Sequence, residues 1–289
     1  MRRFLQITLA CSLLGMCGCS SSSTAASTTN TSSASSDAKV LRVGMECNYA
    51  PFNWTTTSVS DTTVAISSAD YADGYDVVIA SMLAEELGYE LEIVKTEWDS
   101  LIVDLNQGTL DCVIAGMTAT PERTSQVDFT SPYYVSQEVV IVRKGSGLED
   151  ITDIQDLSGY RVQGQMNTLY DTVIDQIEGV DHVEAATDFP ASIQALQAGA
   201  VDAVPAEMPV AMGVCAANED LVYVVFSSGH GFTISEEEGG VDGGISVSIA
   251  VKQGNSDLLN ALESALANIS EEERNEIMEA AVLRQPASD

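Results

Sequence analysis

From Val40 onward, short β-rich runs alternate with stretches of helical period, and this alternation constrains the fold more than any other feature of the chain. Val40 to Met45 predicts a strand. Asp76 to Leu87 predicts a helix, with Ile79, Met82, Leu83 and Leu87 on one face and Gly88 just past its end. Leu91 to Val94 reads as a strand, Trp98 to Asn106 as a helix stopped by Gly108, and Cys112 to Ala115 as a buried strand. Strand, helix, strand, helix, strand is the order of a parallel sheet with crossover helices. A second series runs through strands at Glu138 to Arg143 and Tyr160 to Gln163, helices at Thr168 to Ile177 and Pro190 to Gln197, and a short strand at Asp202 to Val204. A helix near Pro209 to Ala217 and a strand at Leu221 to Phe226 complete it, so two α/β lobes are expected. The chain then returns as a strand, Ile245 to Val251, and two helices, Asp257 to Ile269 and Glu271 to Val282. Ser270 and Glu273 are expected to form a capping box before the second. Thr55 to Asp73 reads as a surface hairpin, and Ser227 to Gly244 as a glycine-rich loop.

With 289 residues and 45% apolar side chains, the chain is long enough to build these cores without a disulfide scaffold. Against 12 Lys and Arg stand 43 Asp and Glu, a formal charge of -31. That balance opposes attraction to phosphate backbones and anionic lipid heads, so no nucleic-acid partner is expected. Cys47, Cys112 and Cys215 match no zinc spacing and read as packing residues; neither a metal nor a cofactor is expected.

Arg2 and Arg3 precede an apolar run from Phe4 to Met16, too short to span a bilayer but suited to the core of a secretory signal. The run ends in Met16-Cys17-Gly18-Cys19 and a serine cluster, which resembles a bacterial lipobox. Residues 1–18 are therefore expected to be a lipoprotein signal peptide, with lipidation on Cys19. Residues 19–37 are almost wholly Ser, Thr and Ala, a tether unable to bury enough surface to order itself. The expected location is the extracytoplasmic face of the cell membrane, held there only by the lipid.

A free α-amino acid demands a planar cationic fork for its carboxylate and an anion for its ammonium, both shielded from water. Gly116-Met117-Thr118-Ala119-Thr120-Pro121-Glu122-Arg123 follows the strand at Cys112, at the carboxyl edge where open α/β sheets place ligands. Thr120 is placed to cap a helix opened by Pro121, which sets Arg123 on the first turn, reaching back over the strand end.

Five fragments occur in order across the mature domain. They are Val43 to Phe52, Gly74 to Val77, Leu110 to Arg123, Val127 to Tyr134, and Ser248 to Lys252. Together they resemble the solute-binding proteins of polar-amino-acid ABC importers, the bacterial extracellular family 3 of such receptors. The resemblance implies an α/β, two-lobed periplasmic-binding-protein-like (type II) fold with two hinge strands. It places lobe 1 at residues 38–136 and 246–289, lobe 2 at residues 137–245, and hinges near Tyr134 to Gln137 and Gly243 to Val247. It also implies a free amino acid as ligand, an ABC permease and its ATPase as partners, a monomeric receptor and no catalytic residue.

Carried over by position, Tyr49 and Trp98 are aromatic walls of the ligand site. Gly116 and Thr118 bind the α-ammonium, Met117 lies between them, and Arg123 clamps the carboxylate. In lobe 2, where the resemblance is looser, Thr168 is kept but Asn167 stands where the family usually has glycine, and Glu207 stands where an Asp is common. Glu46 corresponds to the acid that meets the ligand side chain, and Gln165 faces it from the other lobe. A buried anion needs a donor-rich partner, so a basic amino acid such as arginine, lysine or histidine is expected, with glutamine as the neutral alternative. An enzyme on the same fold, dehydratase- or lyase-like, is the competing class. The chain's two histidines, His182 and His230, fall in expected loops, and neither has a nearby Ser or Cys in a nucleophile context.

Overall fold

The computed structural model describes residues 39–241 and 244–286. The signal peptide, Cys19, the tether and Gly243 lie outside the described residues. Two α/β sheets carry the architecture. In the first, the strands Val40–Met45, Glu90–Lys95 and Cys112–Val113 run parallel, with Val40–Met45 between the other two. The long strand Gly244–Lys252 joins antiparallel beside Cys112–Val113 and also pairs with Val127–Ser136. The second sheet is ordered Asp181–His182, Arg161–Val162, Ala203–Glu207, Glu138–Arg143, Leu221–Val225. The chain passes from the first sheet to the second at Gln137, between Ser136 and Glu138. It has returned by Gly240–Val241, which already pairs with Gly244–Lys252. No helix of the described residues is long and apolar enough to cross a membrane.

The alternating pattern of the sequence reappears with shifted ends. The helix after Gly74 spans Tyr75–Leu87 and buries Val77, Ile79, Ala80 and Leu83, and Gly88 closes it in the left-handed conformation at φ 69°. The expected helix from Trp98 begins as a 3-10 turn, Trp98–Ser100, before Leu101–Gln107. The segment from Thr168 breaks into a helical turn at Leu169–Thr172 and a 3-10 turn at Val173–Gln176. Before the last helix, the Ser270 hydroxyl accepts from the Glu273 N–H at 3.2 Å. The expected surface hairpin is more than that: Asn53–Thr56, Val64–Ala65 and Tyr71–Asp73 join Asn48–Tyr49 in a four-stranded antiparallel sheet. Within the glycine-rich loop, Glu236–Glu238 forms a 3-10 turn capped by Ser235.

Ion pairs pin the amino ends of the parallel strands. Arg42 grips Asp111 with two side-chain bonds, Nη2 to Oδ1 at 2.8 Å and Nε to Oδ2 at 3.0 Å. Asp202, just before its strand, holds Arg161 at 2.8 Å and Arg143 at 3.0 Å. Cys47, Cys112 and Cys215 are free thiols, the first two buried.

Candidate functional site

Both lobes contribute to one cavity. Glu46 and Tyr49 follow the strand Val40–Met45, Trp98 follows Glu90–Lys95, and Ala115, Gly116, Thr118 and Arg123 follow Cys112–Val113. From the second lobe come Gln165, Thr168, Leu169, Tyr170, Phe189, Pro205 and Glu207. Every expected ligand residue lines this cavity except Met117, whose side chain is 1% exposed and contributes to an outer recess instead. Its neighbours Gly116 and Thr118 face the cavity, so the intervening side chain turns away from it, while its carbonyl accepts from Ser248 N–H at 2.8 Å.

The backbone around Gly116 is held by a buried relay. Gly116 N–H donates to the Tyr133 hydroxyl at 2.9 Å, which donates to Asp76 Oδ1 at 2.6 Å, while Asn53 Nδ2 donates to Asp76 Oδ2 at 2.8 Å. Gly116 itself adopts φ 59° against the Tyr49 and Phe52 rings, a conformation that glycine takes without strain. In the other lobe a Cβ on Gly164 would meet the Asp171 backbone at 2.5 Å, so only glycine lets the turn pack this closely under Gln165 and Thr168.

Arg123 is 8% exposed. Thr120 caps its short helix, accepting from Arg123 N–H at 3.4 Å, with Pro121 in the first turn. The guanidinium lies over the Trp98 ring at 5.0 Å and donates to the Thr118 carbonyl at 2.9 Å and the Asn167 carbonyl at 2.8 Å. Among the described residues, the arginine–carboxylate pairs involve Arg42, Arg143, Arg161 and Arg284, and none involves Arg123. Burial lowers its pKa to about 10, so it remains a cation at neutral pH.

The acids opposite are as deeply placed. Glu207 is 1% exposed at the end of its strand, and burial pushes its carboxyl up to about 8. The Tyr49 hydroxyl donates to its Oε1 at 3.2 Å, while Oε2 and the Tyr170 hydroxyl both lack a partner at normal hydrogen-bond geometry. Burial likewise raises Glu46 to about 7, opposed by Gln165 Nε2 donating at 3.4 Å from the other lobe. Tyr49 stacks on Phe52 and meets Phe189 edge-on at 5.4 Å, closing an aromatic wall. One desolvated cation and two proton-labile carboxylates therefore line a single enclosure. The cavity between them is about 30 Å³, room for one or two waters, whereas even benzene occupies a cavity of about 150 Å³. A solute of amino-acid size enters only when the lobes part and the Tyr49–Glu207 and Gln165–Glu46 contacts yield to it.

A sequence model of the bacterial extracellular solute-binding proteins, family 3, matches residues 41–281. The chain belongs to this family. It is a family of solute-binding proteins, which removes the enzyme alternative. Among curated relatives, the L-cystine-binding protein TcyJ of Escherichia coli (strain K12) is 30% identical over 233 residues, covering 80% of this chain and 78% of TcyJ. The arginine-binding extracellular protein ArtP of Bacillus subtilis (strain 168) is 29% identical over 219 residues, covering 75% of this chain and 77% of ArtP. Among solved structures, an amino acid ABC transporter substrate-binding protein from Streptococcus pneumoniae Canada MDR_19A bound to L-arginine superposes with a TM-score of 0.71. It is 25% identical, and the match covers 84% of this chain and 94% of that one. The fold is accordingly the two-lobed periplasmic-binding-protein type II arrangement.

Ala115, Leu169, Tyr170, Phe189 and Pro205 line the cavity without having been singled out from the sequence. Phe189 carried a usable signal, since Asp188 before it and Pro190 after it mark a helix start. The structure has Asp188 Oδ1 accepting from Ala191 N–H at 2.8 Å there. Glu138, directly across the strand pair from Glu207, is a further buried carboxyl; burial raises it to about 8, and its Oε1 has no partner. A carboxyl whose folded pKa is raised contributes stability that is full below its unfolded value near 4.5 and is lost as pH rises through about 8. Glu138→Gln is therefore expected to leave the melting temperature unchanged at pH 5 and to raise it by about 3 °C or more at pH 9. A calorimetric pH series checks this, and an equal shift at both pH values would show that Glu138 is not the titrating group.

Proposed function

We propose that the protein is the extracytoplasmic binding component of an ABC importer, held at the membrane by a lipid on Cys19, and that it captures a basic amino acid, L-arginine foremost, for a permease. The observation that carries this reading is the charge arrangement of the cavity: Arg123 on one side, with Glu207 and Glu46 as separate buried acids. A zwitterion with a cationic tail supplies one carboxylate and two cations, the complement of that set. Arg123 takes the carboxylate with its planar fork, Glu207 and the Thr118 hydroxyl take the α-ammonium, and Glu46 with Gln165 takes the side-chain guanidinium. Tyr49, Phe189 and Trp98 exclude water along the aliphatic stem. The arginine named for ArtP and bound in the pneumococcal structure supports the same class. Cystine fits less well: its second carboxylate would approach Glu46, and among the described residues Arg123 is the single cationic side chain lining the cavity.

On this reading loading runs in three steps. The amino acid meets the Arg123 lobe first, the Glu207 lobe closes over it, and the closed form docks on the permease.

A thermal-shift screen of the protein against the common amino acids tests the assignment, because a ligand that binds only the folded state stabilises it by mass action. L-Arginine is expected to give the largest shift; a larger shift with a neutral or acidic amino acid overturns the assignment. Glu46→Gln is expected to weaken arginine by roughly 10-fold or more and to narrow its advantage over glutamine, since the amide no longer offsets a buried guanidinium. Competition calorimetry with the two ligands reads that ratio.

A further inference from the structure

Asn167 stands where the family usually has glycine, and the structure gives it three bonds across the cleft. It adopts φ 58°, the left-handed region that Asn tolerates better than other non-glycine residues. Its carbonyl accepts from Arg123 Nη2 at 2.8 Å and from Trp98 Nε1 at 3.3 Å. Its side-chain Nδ2 donates to Asp99 Oδ1 at 2.7 Å. All three partners belong to the first lobe, and all three bonds are made by protein atoms alone.

The placement separates this residue from the ligand contacts. Arg123, Trp98 and Thr168 line both the inner cavity and an outer recess of about 590 Å³, whereas Asn167 and Asp99 line only the recess. Asn167 therefore stands at the rim, between the inner cavity and the mouth of the cleft. Two of the five guanidinium N–H groups of Arg123 are used by the Thr118 and Asn167 carbonyls, which leaves three for a carboxylate and fixes the plane in which they point.

We infer that Asn167 is a cross-cleft latch, a positioning residue that holds the lobes closed through Arg123, Trp98 and Asp99 and thereby sets how fast the bound amino acid escapes. Its role in release rests on the receptor reading, while the contacts themselves do not depend on which solute binds. Glycine at this position would take the same φ with less strain and keep the carbonyl, but would lose the bond to Asp99. The side-chain amide is the part of the latch that the sequence adds.

The test has two arms on the same proteins. In ligand-stripped protein, inter-lobe distances from spin labels on the two lobes give the ratio of closed to open forms for the parent, Asn167→Gly and Asp99→Ala. Each variant is expected to lower that ratio roughly three- to tenfold, as for one charge-assisted hydrogen bond at a partly hydrated rim. The double variant should do no more than either alone, and the melting temperature should stay unchanged. In the second arm, stopped-flow release of L-arginine is expected to quicken by the same factor. Identical distance distributions in the parent and both variants would overturn the latch. Should arginine fail to bind while the ligand-stripped distances still shift, the substrate assignment falls and the latch stands. Asp99→Ala, an exposed change on the opposite lobe, keeps the test decisive if Asn167→Gly does not fold.

Discussion

Arg123→Ala is expected to weaken L-arginine binding by about 30- to 3,000-fold while moving the melting temperature of the ligand-free protein by no more than a few degrees. The first number follows from truncating one partner of a buried, hydrogen-bonded charge pair, which costs about 2 to 5 kcal/mol, with about 1.4 kcal/mol per tenfold. The second follows from what surrounds the guanidinium. It is desolvated without a carboxylate partner among the described residues, and its bonds go to the Thr118 and Asn167 carbonyls. Removing it relieves the burial of a charge and sacrifices two hydrogen bonds, effects of opposite sign on stability. Arg123→Lys separates charge from shape: the ammonium keeps the charge but not the two parallel donors, so its affinity is expected to lie between the other two. Titration calorimetry on the three proteins measures this, and an alanine variant that binds as tightly as the parent would remove the carboxylate role from Arg123.

The half of the site around Arg123 could be read from the sequence because its determinants are local. Thr120, Pro121 and Arg123 lie within four consecutive positions, and the cap that orients the arginine involves only those neighbours. The other half depends on tertiary juxtaposition. Tyr170 and Phe189 reach the cavity from separate turns of the second lobe, and no sequence period links them to Tyr49, although Phe189 packs against it. The same distinction governs the fold. Long strands and glycine-stopped helices were legible, while the strand Ala203–Glu207 extends past Val204, where Pro205 argues against a central strand. Its true end is what carries Glu207 into the cleft. Asn167 shows the converse: a residue that looked like a departure from the expected glycine adopts the left-handed backbone that glycine would have supplied.

Glu207→Gln is expected to match Arg123→Ala in severity and, unlike it, to change how binding depends on pH. Within the closed cleft the Glu207 carboxyl is raised to about 8 by burial, so below that pH a proton occupies the carboxylate that, in the proposed binding mode, the ligand's ammonium requires in ionised form. Proton and ligand compete. Raising the pH toward 8 therefore tightens binding, with a slope approaching tenfold per pH unit for the one proton displaced, and Glu46, raised to about 7, adds to the slope below neutrality. The stability of the ligand-free protein runs the opposite way. A raised carboxyl stabilises the fold fully below its unfolded value and stops doing so as pH passes through about 8, so the ligand gains most where the empty fold is weakest. Calorimetry at pH 7 in buffers of different ionisation enthalpy counts the protons directly. The parent is expected to release close to one proton from Glu207 together with a fraction from Glu46. Glu207→Gln is expected to release only that fraction and to bind about 30- to 3,000-fold more weakly, because a neutral amide cannot offset a buried ammonium. A parent that releases no proton and binds equally well at pH 6 and pH 8 would mean that Glu207 is not the group facing the ammonium, and the second lobe would then have to supply its anion from another residue.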